Sequence, residues 1–576
     1  MKNKLHLQSY FTAFLLLLGF VAQAQNPLLI PDTLSGNNIT LTLQNGQFSF
    51  YQGVNTTTMG ANGNILGPTL ILHKGDSVNF TVNNRLDDTT TLHWHGMHVS
   101  AANDGGPHTP IAPGASWYPK FTVRDKAATY WYHPHLHTHT NEQVSKGIAG
   151  LIIVRDNEEA ALNLPRTYGV DDFPLVLQTK DFDDNKQIVV PSNSDDVAMV
   201  NATIDPYLEV PQQMVRFRLL NGSSQRVFNV GLSDNRIFYQ IASDGGLLSE
   251  PLSLTRLQLA PGERAEILID FSGLQGQTVQ LMSYASEFPN GIYGAVYPGR
   301  NTSMVLNGYN PNPLNGSDFD LIAFRVGATG NQPVTTLPAK LANVSPIPEE
   351  EASITRDLTF SPQTMGRDQL NGKFLINDVS FDMNVINYTI NLNSVEVWTL
   401  KNNSAIAHPF HIHDVQFYIL DRDGNAPGPS EQGRKDVVLV KSQETVRFIT
   451  VFDDFADDTV PYMYHCHMLT HEDQGMMGQF KVVSQVTGVP ANSLDASGLS
   501  VYPNPVNDGF IRIQTVPDAG SLESYALYSL TGEKMDQHKV AGGSSLKINV
   551  SRYPAGVYFL KIRTDHGLLV KKVVIR

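Results

Sequence analysis

The sequence predicts an all-β protein built from three related β-sandwiches and a smaller fourth one, and three observations carry that prediction. Short runs of alternating apolar and polar residues, punctuated by Gly, Pro, Asn and Asp, fill the chain, and almost no long stretch keeps a helical period. One pattern occurs three times, as LILHKGDSVNFTVNNRL at 70–86, LEVPQQMVRFRLLNGS at 208–223 and INLNSVEVWTLKNNS at 390–404, each a strand running into an Asn-bearing turn. A second pattern follows each copy, as IAPGASWYPKFTV at 111–123, LAPGERAEILIDF at 259–271 and VKSQETVRFITVF at 440–452. Recurrence at so long a period predicts copies of one sandwich, since a solenoid would repeat about every 20–50 residues.

Taken in order, the chain opens with Lys2 and Lys4, an apolar run FTAFLLLLGFVA at 11–22 and the small-residue pattern Ala22-Gln23-Ala24, which predicts a secretory signal peptide over 1–24. The run is shorter than the roughly 20 residues of a membrane span. Three sandwiches are then expected at 25–160, 161–330 and 331–486. Small polar residues at 487–498 predict a linker, and the strand-like runs of 499–576 predict a separate small β-sandwich. Of the 18 histidines, 14 fall at 93–108, 133–139, 408–413 and 465–471, and none lies between 140 and 407. The middle copy, which reads MSYASEFPNGIYG at 282–294 over the corresponding stretch, is therefore expected to be a spacer between the outer two. A net charge of −14 excludes nucleic acid and anionic membranes as partners, because neither offers an acidic surface a counter-charge.

The single cysteine, Cys466, sits in HCHMLTHEDQGMM at 465–477. A lone thiol in an exported chain cannot form an internal disulfide, so Cys466 is read as kept for its chemistry. If the segment is a strand, Cys466 faces one way and His465 and His467 the other, and one strand serves two metal sites. Four His-x-His pairs, His93/His95, His133/His135, His411/His413 and His465/His467, each present two imidazoles on one face of a strand. Eight imidazoles exceed one four-coordinate site and suit a cluster of three metals. His408, Cys466, His471 and Met476 form a His₂Cys set with a weak thioether, the ligands of a blue-copper centre. Zinc hydrolases also use His-x-His, but zinc sites rarely combine this many imidazoles with a thiolate and a Met. His98, His108, His137 and His139 are expected around the ligands or on the surface, His73, His538 and His566 have no ligand spacing, and Met477 is expected to pack.

With these motifs, residues 40–485 resemble the three-domain multicopper oxidases. The resemblance implies cupredoxin-like Greek-key domains and four copper ions, one type 1, one type 2 and two type 3. By position, His408, Cys466, His471 and Met476 match the type 1 ligands, His93 and His411 the type 2 ligands, and His95, His133, His135, His413, His465 and His467 those of the type 3 pair. The implied chemistry is oxidation of a small one-electron donor at type 1 copper, transfer through Cys466, and reduction of O₂ to water at a cluster between the first and third domains. That reduction consumes protons, and Asp104 and Glu472 match the family's relay acids. Asp104 also suits a turn and Glu472 a solvated surface.

Among such enzymes, the positions before HPFHIH, here Ser404 to Ala407, lack the acidic and Met residues of copper-efflux members, and 328–407 holds only Met365 and Met383. Soft thioethers are what would bind cuprous ion. A laccase-like oxidase of phenols or similar donors is therefore expected, with a metal-ion oxidase or a non-catalytic copper-binding surface protein as alternatives. The tail, with Tyr502-Pro503-Asn504-Pro505 and Gly556-Val557-Tyr558-Phe559-Leu560, resembles the sorting domain of type IX secretion substrates. It implies a partner in that export machinery and a secreted or surface-attached protein, expected to be a monomer.

Overall fold

The computed structural model describes residues 25–192, 194–302, 306, 312–364, 370–484, 499–515, 521–530, 534–540, 542–565 and 567–576. The expected signal peptide at 1–24 and linker at 487–498, together with Met365 and His566, lie outside them. The chain divides into two compact units between Val482 and Val483.

The first unit holds three sandwiches in which the sequence repeat becomes a repeat of topology. In each copy the first pattern folds as two strands separated by a tight turn, Thr69–His73 and Ser77–Arg85, Pro206–Val210 and Met214–Asn221, or Tyr388–Asn391 and Ser394–Asn402. The two strands join different sheets, so the turn is where the chain crosses the core. The second pattern supplies the antiparallel neighbour of the latter strand, at Ser116–Trp117 and Lys120–Thr122, at Arg264–Asp270, and at Thr445–Phe452.

The turn asparagines Asn84, Asn221 and Asn402 are wholly buried and do the same work three times. Each side-chain oxygen accepts from the amide two residues on, at 2.9, 3.0 and 2.9 Å. Each Nδ2 donates to a carbonyl of the second pattern, Ile111, Leu259 or Val440, at 2.8, 2.8 and 3.0 Å. An Asx turn that also crosslinks two segments satisfies a buried backbone that no ladder reaches.

Each sandwich has its own apolar core. The strands that carry the histidines depart from the polar/apolar alternation of a half-exposed sheet. His93–His95, Ala128–His133, His408–Ile412 and Tyr462–Cys466 are buried at every position. Their alternate residues still diverge: Trp94, Tyr130 and Tyr132 enter the first core and Phe410, Ile412, Tyr462, Tyr464 and Cys466 the third, which turns His93, His133, His411 and His465 the opposite way. The short strand Asn26–Pro27 pairs in parallel with Pro206–Tyr207, on the middle sandwich.

The second unit is a three-stranded and a four-stranded sheet around Leu499, Ile511, Leu527, Leu560 and Val573. Asn504 of the YPNP run pins the last strand, donating to the Lys572 carbonyl at 2.7 Å and accepting from the Val574 amide at 2.8 Å.

Candidate metal centre

Antiparallel pairing brings the histidine motifs together in twos. His93 lies opposite His133, and His411 opposite His465. The two pairs come from sandwiches far apart in sequence and meet where these sandwiches pack. All eight imidazoles of the four His-x-His motifs are buried.

Most of these rings have one nitrogen fixed and the other turned inward. His93 Nδ1 donates to the Asp104 carbonyl at 3.0 Å, His133 Nδ1 to the Pro134 carbonyl at 2.8 Å and His411 Nδ1 to the Asp436 carbonyl at 2.8 Å. His413 Nδ1 donates to Asp104 Oδ2 at 2.7 Å. His465 Nδ1 lies 3.1 Å from the Cys466 carbonyl oxygen. Such partners set the tautomer and leave the other nitrogen as a lone pair.

The inward nitrogens converge. His135 Nε2 is 3.1 Å from His413 Nε2 and 3.1 Å from His465 Nε2, and the last two are 3.4 Å apart. Three ligands about 2 Å from one tetrahedral ion lie roughly 3.3 Å from each other, so this triangle has the size of a metal site. His95 Nδ1 and His133 Nε2 approach to 3.3 Å, with His467 packed edge-on to both rings. His93 Nε2, His411 Nε2 and both nitrogens of His467 are buried with no hydrogen bond among the described residues. Burial pushes the pKa values of His95, His133, His135, His411 and His467 well below the ordinary value and takes His413 down to about 3. Neutral, convergent and unpartnered imidazoles are what a cation needs.

On the other face of the Tyr462–Cys466 strand, Cys466 Sγ is 3.5 Å from His408 Nδ1 and 3.6 Å from His471 Nδ1. The far nitrogens of these rings are engaged, His408 Nε2 with Ser404 Oγ at 2.9 Å and His471 Nε2 with the Leu370 carbonyl at 2.8 Å. Phe374 packs against both rings. Met476 is wholly buried in the same apolar cluster, and its carbonyl accepts the Cys466 amide at 3.0 Å. Burial pushes the Cys466 thiol up and takes His471 down to about 4. A coordinated cation reverses the first effect, because a ligating thiol gives up its proton.

Two carboxylates back the imidazoles. Asp104 spans His413 and His93, its Oδ1 lying 3.3 Å from His93 Nδ1. Burial alone would raise its pKa, but the facing His413 and His93 outweigh burial and hold it below the usual carboxylate range. Glu472 sits between His135 Nδ1 at 3.2 Å and His465 Nδ1 at 3.3 Å, wholly buried rather than solvated.

None of the other clustered histidines has a ring contact to the eight. His108 Nε2 meets Gln479 Oε1 at 2.7 Å, His137 packs on Phe381, and His139 is 3.7 Å from Asp88. His98 Nδ1 bonds Asp125 Oδ1 at 2.8 Å with 18% of its side chain exposed. Burial would lower the His98 pKa, but Asp125, with Asp414 and Asp454 beyond it, lifts it to about 9. The folded value lies above the unfolded one, so this pair stabilises fully below about pH 6.5 and the effect fades as pH rises through 9. Denaturant titrations of wild type and His98→Gln are expected to differ by at most about 3 kcal/mol at pH 6, and to converge near pH 10.

Motif spacing does not point to Asp436. Its carboxylate reaches His95 and its carbonyl His411. The signal available was a lone acid opening the apolar run Val437–Val440, a poor place for a charge without a partner. The middle sandwich is more than a spacer, because the turn at Gly262 packs against the His467 ring and Arg264 binds Asp436.

Family models described as multicopper oxidase match residues 42–159 and 351–486, and one for a secretion system C-terminal sorting domain matches 500–576. The chain is 34% identical over 479 residues to the multicopper oxidase mco of Staphylococcus haemolyticus, covering 80% of this chain and 94% of that protein. It is equally 34% identical over 478 residues to the cell division protein FtsP of Sodalis glossinidius, covering 81% and 94%. Among solved structures, a laccase-like multi-copper oxidase, CueO of Ochrobactrum sp., superposes with a TM-score of 0.70 at 35% identity over 79% of this chain and all of that one. A Campylobacter jejuni multicopper oxidase described as a metallo-oxidase gives 0.66 at 27% identity, over 80% and 96%.

Proposed function

Because this chain belongs to the multicopper oxidase family and is a copper oxidoreductase, we propose that it couples oxidation of small laccase-type donors to reduction of O₂. The observation that carries this reading is the intact ligand array, a buried His₂Cys set one residue from seven imidazoles whose nitrogens converge in threes, with the His467 ring packed beside them. In this reading His408, Cys466 and His471, with Met476 as the thioether, hold the type 1 copper. His93 and His411 hold type 2, and His95, His133, His135, His413, His465 and His467 hold the type 3 pair. Bound copper would supply one-electron oxidation at the first site and, at the cluster, the four-electron reduction in which O₂ and four protons become two waters.

The chain's own residues then have defined tasks. Cys466 links the sites covalently, since its neighbours His465 and His467 both belong to the imidazole cluster. Asp104 and Glu472 orient the rings they face, and among the described residues Asp104 Oδ1 and both Glu472 oxygens have no hydrogen bond, which suits them to holding and passing protons. Ser404 and Leu370 occupy the outer nitrogens of His408 and His471, so neither imidazole edge is open to bond a donor. That arrangement favours donors that give up an electron without a ligand bond. The candidate ligand set is complete within one chain and needs no partner subunit, and the reading takes the protein as a monomer. In this reading the three cupredoxin-like domains span 25–160, 161–330 and 331–486, with the opening strand Asn26–Pro27 lent to the middle sheet.

The test is O₂ uptake by the purified, copper-loaded protein with a phenol, a tetrapyrrole, Cu(I) and Fe(II). Turnover led by the phenol supports the reading. Turnover confined to the metal ions makes this a metal-ion oxidase, and copper binding without turnover on any donor makes it a binding protein.

The sorting domain directs export by the type IX route in this reading, after a signal peptide at 1–24. Since the first unit has complete cores of its own, a chain ending at Ser484 is expected to keep its blue colour and O₂ uptake yet fail to reach the cell surface or medium. Fractionation of cells carrying both forms checks this.

A further inference from the structure

Arg264 belongs to the middle sandwich, which carries no histidine, yet it is wholly buried at the junction of all three copies. Its five N–H groups are all used. Nη1 and Nη2 grip Asp436 Oδ1 and Oδ2, each at 2.6 Å. Nε donates to the Thr129 carbonyl at 3.1 Å, and the remaining two donate to the carbonyls of Gly262 and Asp244, also at 3.1 Å. Thr129 lies in the strand that carries His133, Gly262 lies against the His467 ring, and Asp436 belongs to the third copy. Behind the fork, Lys435 bonds Asp244 and Glu263, each at 3.0 Å.

Asp436 in turn decides the orientation of two rings. Its Oδ1 accepts from His95 Nε2 at 3.1 Å, which turns Nδ1 of that ring toward His133. Its backbone carbonyl accepts from His411 Nδ1 at 2.8 Å, which leaves Nε2 facing inward. His95 thus presents the nitrogen opposite to that of its stacked neighbour His411. The backbone leaves room for this pair: Gly96, at φ +85°, would place a Cβ 2.5 Å from Asp436 Oδ2 and 2.6 Å from Arg264 Nη2.

We propose that Arg264 is a positioning residue of the imidazole cluster, acting through Asp436 to fix which nitrogens of His95 and His411 face the metal. The proposal rests on the copper assignment above. Lysine keeps the charge but not the fork, so it cannot hold a carboxylate at two points. In the full chain, Arg264→Lys is expected to keep the blue band of the Cys466 site, to lose the EPR signal of non-blue copper and the near-ultraviolet band of the coupled pair, and to bind copper there about 10–100-fold more weakly in chelator competition. Arg216→Lys is the control, an equally buried arginine of the same sandwich that pairs with Glu159 and Glu266 and touches no candidate ligand. It is expected to lower thermal stability without changing either signal. Should Arg264→Lys not fold, Asp436→Asn is read in the same way, with loss of the same two signals expected. Cluster signals and chelator resistance equal to wild type in the folded variant overturn the proposal. Wild type that takes up no copper overturns the copper assignment instead.

Discussion

Replacing Cys466 by serine is expected to abolish the blue colour and to cut donor-driven O₂ uptake by more than about a hundredfold, since even partners one shell out from a metal cost about 10–100-fold. The sulfur lies 3.5 and 3.6 Å from the two imidazole nitrogens, and no other thiol exists in the chain to replace it. Serine is close in size, so the fold should survive. A hydroxyl left unpaired in the apolar cluster around Phe410 and Met476 costs about 1–3 kcal/mol, against a total stability of about 5–15 kcal/mol. Absorption, an oxygen electrode and far-UV circular dichroism on the same preparation decide the matter. Colour and uptake retained in Cys466→Ser would remove the oxidase reading altogether.

Glu472→Gln is expected to lower turnover by about 10²–10⁴-fold while copper content and blue colour stay at the wild-type level. The carboxylate lies within 3.3 Å of His135 and His465, wholly buried and with neither oxygen hydrogen-bonded among the described residues. Glutamine has the same shape but cannot take up and release a proton. Steady-state kcat with copper analysis separates this loss from one of metal. Unchanged turnover in a fully loaded Glu472→Gln would leave Glu472 with only a packing role.

Much of this was legible in the chain. Alternation in HCH placed the thiol and the two imidazoles on opposite faces, and the structure keeps that division because the strand is packed on both sides. The turn asparagines were visible as a repeated letter, and each fills the same crosslinking role. Glu472 shows where reading stopped: its match to a relay acid came from the family pattern, since a charged residue after His471 also suits a solvated surface, and only the packing of its short helix against the first sandwich buries it. Arg264 was hidden for a related reason. Arginines are common on strands, and nothing local marks the one whose five donors close inside the molecule.

The sequence alone pointed to the all-β class, the threefold repeat, the separate tail and the set of candidate metal ligands, because strand periodicity and ligand chemistry are local properties that survive without coordinates. The tertiary structure decided which imidazoles share a space, which nitrogen each one offers, and that the histidine-free middle sandwich reaches the cluster through Arg264 and Asp436. These depend on segments far apart in the chain coming within hydrogen-bond distance of one another, as His95 and Asp436 do at 3.1 Å, and that distance is set by how three cores pack.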